Sequence, residues 1–220
     1  MTSTSATRAG TVFIVDDDAS FLRSVSRLLS ALGYTVQTYE SAQGFLDRLG
    51  PEMSGCVVAD LQMPGMNGLE LQKALKVSAN PLPVIFLTGQ GDIPTTVIAM
   101  RGGAVDFLVK RAPKEELLAA VERAFERGLR ERQQREHLQV LRSRFNQLSE
   151  RELEVLERVV QGWMNKQIAA DLNIIERTVK LHRTNLTRKL GVQSVAELTR
   201  LVDEAGLFKS QEDRVANQPR

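Results

Sequence analysis

The sequence is poor in cysteine and in aromatic side chains. Its 220 residues include one cysteine, one tryptophan and two tyrosines, and aromatic residues make up 5% of the chain. A single cysteine, Cys56, has no partner for an internal disulfide, which excludes disulfide-stapled folds and dithiol redox chemistry. Because Cys56 lies in an apolar run, we expect it to be a buried small hydrophobe.

Long hydrophobic runs are also missing. The longest stretch without a charged side chain, Val77 to Gly91, has 15 residues and two prolines, whereas a membrane-spanning helix needs about 20 apolar residues. The first ten residues are rich in Ser and Thr and lack the apolar core of a secretory signal. The sequence therefore predicts a cytoplasmic protein that does not engage a membrane.

Neither sign of charge is in large excess. The chain has 29 Lys and Arg against 27 Asp and Glu, for a formal net charge of +2. The two parts differ, since residues 1–125 carry 11 basic against 13 acidic side chains and residues 126–220 carry 18 against 14. The C-terminal part is therefore the one expected to meet a polyanion.

Short apolar runs alternate with amphipathic stretches through residues 1–125, which predicts a parallel sheet flanked by helices. The predicted strands are Thr11–Val15, Thr35–Tyr39, Gly55–Ala59, Val84–Thr88 and Val105–Val109. Their near-continuous apolar character indicates that both faces of the sheet are covered. Five strands and five helices in about 125 residues are typical of an α/β, flavodoxin-like doubly wound domain, whose ligands bind at the carboxyl ends of the strands.

Helix boundaries carry their own signals. Ser20 is a candidate N-cap for a first helix that runs to about Ala31 and is ended by Gly33. Ser149, followed three residues later by Glu152, forms a capping box that begins another helix.

A long helix is predicted from Pro113 to about Asn146, because the segment has no internal proline. We interpret residues 126–147 as a helical linker. Four apolar residues have heptad spacing and offer an optional dimer seam, although one and a half heptads are too few to identify a coiled coil: Leu138, Leu141, Phe145 and Leu148. The polar residues 209–220 are expected to form a flexible tail.

Carboxylates follow two predicted strands at their carboxyl ends. Asp16, Asp17 and Asp18 come directly after the first strand, and Asp60 comes directly after the third. These strands flank the switch point of a flavodoxin-like sheet, so the carboxylates are expected to converge. Clustered anions need a counter-charge, which Mg²⁺ supplies when it binds carboxylates, a backbone carbonyl and waters.

Two further side chains suit the same edge of the sheet. Thr88 ends the fourth strand and Lys110 follows the fifth, and a hydroxyl and an ammonium beside a metal-bound carboxylate form a cradle for a phosphoryl group. Each residue alone has a structural explanation, since Asp is common in turns and Lys110 could be a solvated surface residue. Four strand ends filled in this order favour the functional interpretation.

The runs VFIVDDD, VVADLQMPGMNGLEL, VIFLTGQGD and GAVDFLVK resemble the receiver domain of bacterial two-component response regulators, over residues 11–125. The resemblance implies that a histidine kinase phosphorylates the chain. It assigns these residues: the phosphoacceptor Asp60, the Mg²⁺ ligands Asp16, Asp17, Asp60 and the backbone carbonyl of Gln62, the phosphoryl contacts Thr88 and Lys110, and the switch aromatic Phe107. We place the receiver domain at residues 1–125.

Some positions stand apart from the family pattern. Asp18 lies outside the matched acidic pair and is expected to be a turn or capping residue. Lys110 is followed by Arg111 where the family usually has proline. Because a cis peptide before a non-proline residue costs about 2.5–4 kcal/mol, we expect the Lys110–Arg111 bond to be trans.

Gly65 and Gly68 fit the tight loop after the phosphoacceptor, since glycine tolerates a positive φ.

Near the C-terminus, a helix over Asn165–Leu172 is predicted, followed by a three-residue turn and a basic helix over Glu176–Leu190. This pattern suggests a helix-turn-helix with its second helix in the DNA major groove. The alternative is a basic amphipathic helix that only solvates a bundle. On the second helix, Val179, Leu186 and Leu190 share a stripe that should face the core. Another face mixes a base-edge donor, an apolar contact for thymine and a hydroxyl: Lys180, Leu181, Thr184 and Arg188.

The run LSERELEVLERVVQGWMNKQIAADLNIIERTVKLHRTNLTRKLGVQSVAEL, residues 148–198, resembles the LuxR-type helix-turn-helix. Together with the receiver resemblance, the architecture is similar to the NarL/FixJ family, with a DNA-binding domain over residues 148–208. The resemblance implies base contacts by Lys180, Leu181 and Thr184, and phosphate contacts by Asn165, Lys166, Arg177, Thr178, Arg183 and Arg188. We interpret Trp163 as core or dimer packing, and Ile175 stands where the family often has a capping Ser.

Three functions are compatible with these patterns. The first is a transcriptional regulator that dimerises when phosphorylated, binds double-stranded promoter DNA and works with RNA polymerase. The second is a DNA-binding regulator that is never phosphorylated. The third is a Mg²⁺-dependent phosphohydrolase that uses Asp60 as nucleophile; it lacks an evident acid for the leaving group and would give the basic C-terminal part no purpose. We therefore expect that the protein is not an enzyme.

Overall fold

A computed structural model describes residues 10–89 and 93–208 of the chain. The chain divides into two compact units, the first ending at Arg132 and the second beginning at Gln133. The tail expected at residues 209–220 lies outside the described residues. No helix in the described ranges is long and apolar enough to cross a membrane.

The first unit is built on a parallel sheet of five strands in the order β2-β1-β3-β4-β5, which is the predicted flavodoxin-like arrangement. The strands are β1 (Thr11–Val15), β2 (Thr35–Tyr39), β3 (Gly55–Ala59), β4 (Val84–Thr88) and β5 (Asp106–Val109). Four strands match their predicted ranges, and β5 begins one residue later than predicted.

Helices cover both faces of this sheet: α1 (Ala19–Ala31), α2 (Ala42–Leu46), α3 (Gly68–Val77), α4 (Ile93–Gly102) and α5 (Lys114–Phe145). Alternate residues of β1 lie on opposite faces of the sheet. Phe13 packs in the core under α2 and α3, and Ile14 packs in the core under α1 and α5. Cys56 is fully buried in the second of these cores, as predicted, and burial raises the pKa of its thiol to about 12.

Strand β2 does not fit the expectation of a sheet covered throughout on both faces. It is an edge strand, and its residues Thr35, Gln37 and Thr38 are exposed. The physical reason is its polar sequence, because an edge strand with one open side can keep threonine and glutamine side chains in water.

Asp18 caps helix α1, in place of the predicted Ser20. The Asp18 carboxylate accepts hydrogen bonds from the backbone N–H of Ser20 at 2.8 Å and of Phe21 at 3.2 Å. The expectation that Asp18 is a capping residue is therefore confirmed. After the helix, Gly33 has a φ of +87°, a conformation that glycine adopts at little cost.

The second unit packs the C-terminal part of α5 with α6 (Glu150–Val160), α7 (Asn165–Asp171), α8 (Glu176–Leu190) and α9 (Val195–Ala205). The stripe proposed as a dimer seam lies in this core instead. Leu141, Phe145 and Leu148 are buried among side chains of the same unit, and Leu138 is half-buried. Apolar residues at three- and four-residue spacing mark a buried helix face, whether the partner is another chain or the same one.

The predicted capping box starts α6 and extends into a partly buried ion pair. The Ser149 hydroxyl accepts from the Glu152 N–H at 3.3 Å, and the Glu152 carboxylate accepts from the Ser149 N–H at 2.8 Å. The same carboxylate lies 2.6 Å from the Lys189 ammonium on α8, and its side chain is only 5% exposed. Burial alone would raise the pKa of Glu152, but the contacts with Lys189 and Ser149 outweigh it and lower that pKa.

Replacing Lys189 with methionine should destabilise the second unit by about 1–3 kcal/mol, because it leaves a buried carboxylate without its cation. Urea denaturation followed by the fluorescence of Trp163, the single tryptophan, measures this unit. The matched control is Lys180→Met on the same helix, where the side chain is exposed and the change should be within about 0.5 kcal/mol. Equal midpoints for the two variants would contradict the assignment.

The pair also predicts a dependence on pH. Because folding lowers the pKa of Glu152 below its ordinary value of 4.5, its stabilisation is fully present above that pH and is lost as the pH falls through the lower folded value. The Lys189→Met variant should therefore lose less stability on acidification than the wild type.

Candidate functional site

Three carboxylates meet at the carboxyl ends of β1 and β3. One oxygen from each of Asp16, Asp17 and Asp60 lies within 4.8 Å of the others. The two strands are neighbours, with Val15 opposite Ala59, so the residues that follow them emerge side by side. Asp16 is 1% exposed and Asp60 is 7% exposed, whereas Asp17 is exposed. The structure thus brings together three of the four carboxylates that the sequence places at these strand ends, and the fourth, Asp18, caps α1 instead.

The Lys110 ammonium is the cation of this cluster. Its Nζ lies 2.6 Å from Asp16 Oδ2 and 2.9 Å from Asp60 Oδ2. Burial alone would lower the pKa of Lys110, but the contacts with the two carboxylates outweigh it and raise that pKa, so the side chain stays charged. Burial raises the pKa of Asp16 despite the opposing effect of Lys110, because the low-dielectric surroundings disfavour its charge.

The Asp60 carboxylate is held at both oxygens. Its Oδ1 accepts from the backbone N–H of Leu61 at 2.6 Å and of Gln62 at 3.4 Å, and its Oδ2 accepts from Lys110. Thr88 is 1% exposed at the end of β4, and its carbonyl accepts from the Lys110 N–H at 2.7 Å. The hydroxyl and the ammonium therefore come from adjacent strand ends, as the sequence predicts.

The loop after Asp60 needs two glycines for different reasons. Gly65 has a φ of +77°, as expected. Gly68 is not among the described residues that have a positive φ. The expectation that Gly68 is needed for such a conformation is therefore wrong. A Cβ at Gly68 would lie 2.4 Å from the Asp60 carbonyl oxygen and 2.8 Å from the Phe86 ring. Only glycine allows α3 to begin this close to the acidic site.

The donor set fits a small divalent cation. Carboxylate oxygens are the ligands that Mg²⁺ prefers, and three carboxylates are grouped here. Asp16 Oδ2 is buried and accepts no hydrogen bond within the part of the chain that the structure describes, although it touches the Lys110 ammonium. A buried carboxylate oxygen whose neighbouring ammonium is shared with Asp60 is suited to a metal ion, and Gln62, which would contribute its carbonyl, lies in the adjoining loop.

Phe107 and Arg111 occupy the region around β5. Phe107 is half-buried, with its ring centroid 6.2 Å from that of Phe86. Arg111 is exposed. The described residues contain no cis peptide bond, so the Lys110–Arg111 bond is trans as predicted, and Lys110 reaches both carboxylates in this geometry.

In the second unit, α8 presents the two faces that its sequence predicts. Val179, Leu186 and Leu190 are at most 1% exposed. The proposed DNA contacts lie at the surface: Lys166, Arg177, Lys180, Leu181, Thr184 and Arg188 are exposed, and Asn165, Thr178 and Arg183 are half-buried. The Arg183 guanidinium donates to Asn165 Oδ1 at 2.8 Å, which ties α8 to the start of α7. The Thr184 hydroxyl donates to the Lys180 carbonyl at 3.0 Å, leaving its oxygen as an acceptor.

Two expectations for neighbouring positions have different outcomes. Trp163 is 38% exposed and so does not belong to the core of its unit, because it lies in the exposed turn between α6 and α7. Ile175 is the N-cap of α8 and makes no side-chain capping bond, as its apolar side chain predicts.

Phe21, in the first turn of α1, also lies at this site, although no sequence motif pointed to it. The Lys110 Nζ lies 4.5 Å from the centroid of its ring. No local pattern identifies this contact, because it joins residues 21 and 110 through the fold. The only available signal is an aromatic residue that closely follows the acidic run.

Comparisons with known proteins agree with this architecture. Residues 12–122 match the response regulator receiver domain, and residues 146–202 match the luxR family of bacterial regulatory proteins. The response regulator protein TodT of Pseudomonas putida is 39% identical over 196 residues, which cover 89% of this chain and 86% of TodT. Nodulation protein W of Bradyrhizobium diazoefficiens is 41% identical over 204 residues, which cover 93% of this chain and 90% of that protein.

Two solved structures of similar length show the same combination of units. The response regulator StyR has a TM-score of 0.73 and 44% identity, with 89% of this chain and 98% of that chain covered. Full-length FixJ from B. japonicum has a TM-score of 0.55 and 38% identity, with 91% and 99% covered.

The fold and the acidic site, taken with these matches, define a two-component response regulator. The chain belongs to the NarL/FixJ family, in which a receiver domain is combined with a LuxR-type helix-turn-helix. Proteins of this family are transcriptional regulators rather than enzymes.

Proposed function

We propose that a partner histidine kinase phosphorylates Asp60, and that phosphorylation promotes dimerisation and binding to promoter DNA, where the dimer acts on RNA polymerase in the cytoplasm. The position of Asp60 carries this proposal. It is a nearly buried carboxylate with one oxygen fixed by backbone N–H groups and the other 2.9 Å from an ammonium. The receiver domain is assigned to residues 1–125, the linker to 126–147 and the DNA-binding domain to 148–208.

In the transfer step, an Asp60 carboxylate oxygen bonds to phosphorus while the bond from phosphorus to the donor nitrogen breaks. The electron pair of that bond stays with the donor imidazole. Lys110 turns from the carboxylates to the phosphoryl oxygens, and the Thr88 hydroxyl donates to another of them. Asp16, Asp17, Asp60 and the Gln62 carbonyl would hold Mg²⁺, which would supply positive charge to a transfer between two anionic reactants. Phe107 is the aromatic that responds to the change at Thr88.

The other candidate functions leave observations unexplained. A regulator that is never phosphorylated leaves the grouping of three carboxylates at one edge of the sheet unexplained. A phosphohydrolase needs an acid for the leaving group, and the three carboxylates grouped among the described residues are already assigned to the acceptor and the metal.

Asp60→Asn should abolish phosphorylation, because the amide is a poor nucleophile. Incubation of the full chain with acetyl phosphate and Mg²⁺ should add the mass of one phosphoryl group to the wild type and none to the variant. The matched control is Asp47→Asn, at an exposed aspartate in the same unit, which should be phosphorylated normally. Chelation of Mg²⁺ should prevent the wild-type gain.

A mass gain on the Asp60→Asn chain would show that the acceptor lies elsewhere. Sustained release of inorganic phosphate from a phosphomonoester would favour the phosphohydrolase instead.

The exposed face of α8 should read bases, while the start of α7 should position the protein on the backbone. Lys180→Ala and Thr184→Ala should each relax the preference at one base position by about 1–3 kcal/mol. Lys166→Ala should weaken binding to all sequences alike and reduce the salt slope by about one. Anisotropy titrations with operator and scrambled DNA at several salt concentrations separate these effects. If Lys180→Ala weakened all sequences equally, it would be a phosphate contact.

An apolar face on α4 supports dimerisation of the first unit. Ile93, Val97 and Met100 are spaced i, i+4, i+7 on one side of the helix, and they are 81%, 41% and 44% exposed. On the neighbouring strand β5, Val109 is 46% exposed. Exposed apolar patches of this kind are typical of protein interfaces, and we assign this one to a second copy of the chain.

Val97→Glu should weaken the phosphorylated dimer at least about tenfold, since it would place a charge in an apolar interface. Light scattering on the acetyl phosphate-treated chain measures the effect, with Lys73→Glu at an exposed site on α3 as the control. A dimer unaffected by Val97→Glu would place the interface elsewhere.

A further inference from the structure

We propose that Phe21 is a positioning residue for Lys110, whose ammonium it holds at the acidic site through the face of its ring. The proposal rests on the proposed phosphorylation of Asp60. The Lys110 Nζ lies 4.5 Å from the ring centroid, which is within the roughly 6 Å over which an ammonium is attracted to an aromatic face.

The ring completes the surroundings of the ammonium. An ammonium has three N–H donors, and two carboxylate oxygens, Asp16 Oδ2 and Asp60 Oδ2, lie within 2.9 Å of the Lys110 Nζ. The Phe21 ring lies against the same nitrogen, and only 19% of the Lys110 side chain remains exposed. Less water around the ammonium strengthens its attraction to an anion.

Short backbone contacts fix Phe21 to the acidic segment. Asp16 Oδ1 accepts from the Asp18 N–H at 2.9 Å, and Asp18 Oδ1 accepts from the Phe21 N–H at 3.2 Å. The residue that supplies a carboxylate to the ammonium is therefore connected, through the cap of α1, to the residue that supplies the ring.

A ring has one property here that a third carboxylate would lack. It attracts the cation through its quadrupole without forming a strong ionic bond, so it does not compete with a phosphoryl group for the Lys110 charge. When the ammonium turns from Asp60 Oδ2 to a phosphoryl oxygen, the ring keeps it in the site. The structural alternative is that Phe21 only packs, half-buried, against the core under α1 and α5.

Substitutions at position 21 separate these roles in the full-length protein. Phe21→Leu should weaken the binding of beryllofluoride, a phosphoryl mimic, by about tenfold in the presence of Mg²⁺, and should slow acetyl phosphate-driven phosphorylation to a similar extent. Phe21→Trp should retain wild-type values, because the ring face is kept. The matched control is Phe125→Leu, which removes a half-buried ring from the same core and should change neither value beyond its effect on stability.

Fluorinated phenylalanines at position 21 test the electrostatic origin directly. Each added fluorine weakens the negative ring face with little change in shape, so the logarithm of the beryllofluoride affinity should fall steadily along the series. A flat series, or losses that follow the melting temperature in the Phe21→Leu and Phe125→Leu chains alike, would overturn the proposal in favour of packing alone.

A measurement without phosphorylation distinguishes this proposal from the one on which it rests. The Lys110 ε-methylene protons should show an upfield ring-current shift by NMR that is lost in Phe21→Leu. If that shift is absent, the positioning role is wrong even where Asp60 is phosphorylated normally. If the shift is present and the wild type gains no phosphoryl mass, the proposed function fails while the contact stands.

Discussion

The first unit depends on balancing negative charge in a nearly closed space. Asp16 and Asp60 are almost buried, and two carboxylates at close range without a cation would be costly. Lys110 supplies that cation from the end of β5, across the sheet from β1. Lys110 can contact both carboxylates only if the strand ends keep their register and the loops after β1 and β3 keep their conformation. The fold and the site are therefore parts of one arrangement, since the sheet order brings the charges together and the charges limit how the loops can move.

Much of the fold could be predicted from local sequence patterns, because apolar residues recur with different periods in strands and in helices. The ranges of four strands and of α8 were predictable for that reason. The differences come from tertiary context. The cap of α1 is Asp18 rather than Ser20 because both residue types can cap, and only the docking of α1 beside Asp16 chooses between them. Strand β2 is open to solvent because it forms an edge. The stripe through Leu141 and Phe145 packs within its own unit, and heptad spacing carries no information about which chain is the partner.

The types of residue in the candidate site could be predicted from the sequence. The packing contacts that require some of those residues could not. Acidic, hydroxyl and ammonium groups at successive strand ends can be read from the order of the motifs. The close approach of Gly68 to the Asp60 carbonyl cannot, because it depends on how α3 meets β3. The same limit applies to Phe21, which is separated from Lys110 by most of the first unit's sequence and meets it only once the sheet is closed. Contacts between residues that are distant in the sequence leave no periodic pattern. Sequence patterns therefore identify the chemical groups of the site better than they identify the residues that position those groups.

The second unit shows why an excess of basic over acidic residues is weak evidence for a surface that binds nucleic acid. Several of its basic side chains are bound internally: Lys189 to Glu152, Arg158 to Asp171, and Arg183 to Asn165. Lys189 lies at the end of α8, where it fastens the recognition helix to the capping box of α6. Lys180 and Arg177, nearer the start of α8, are exposed. Arg188, in the last turn of α8, is exposed as well. The surface that can meet a polyanion is therefore set by the cations that are not bound internally, and counting charges along the sequence does not reveal which these are.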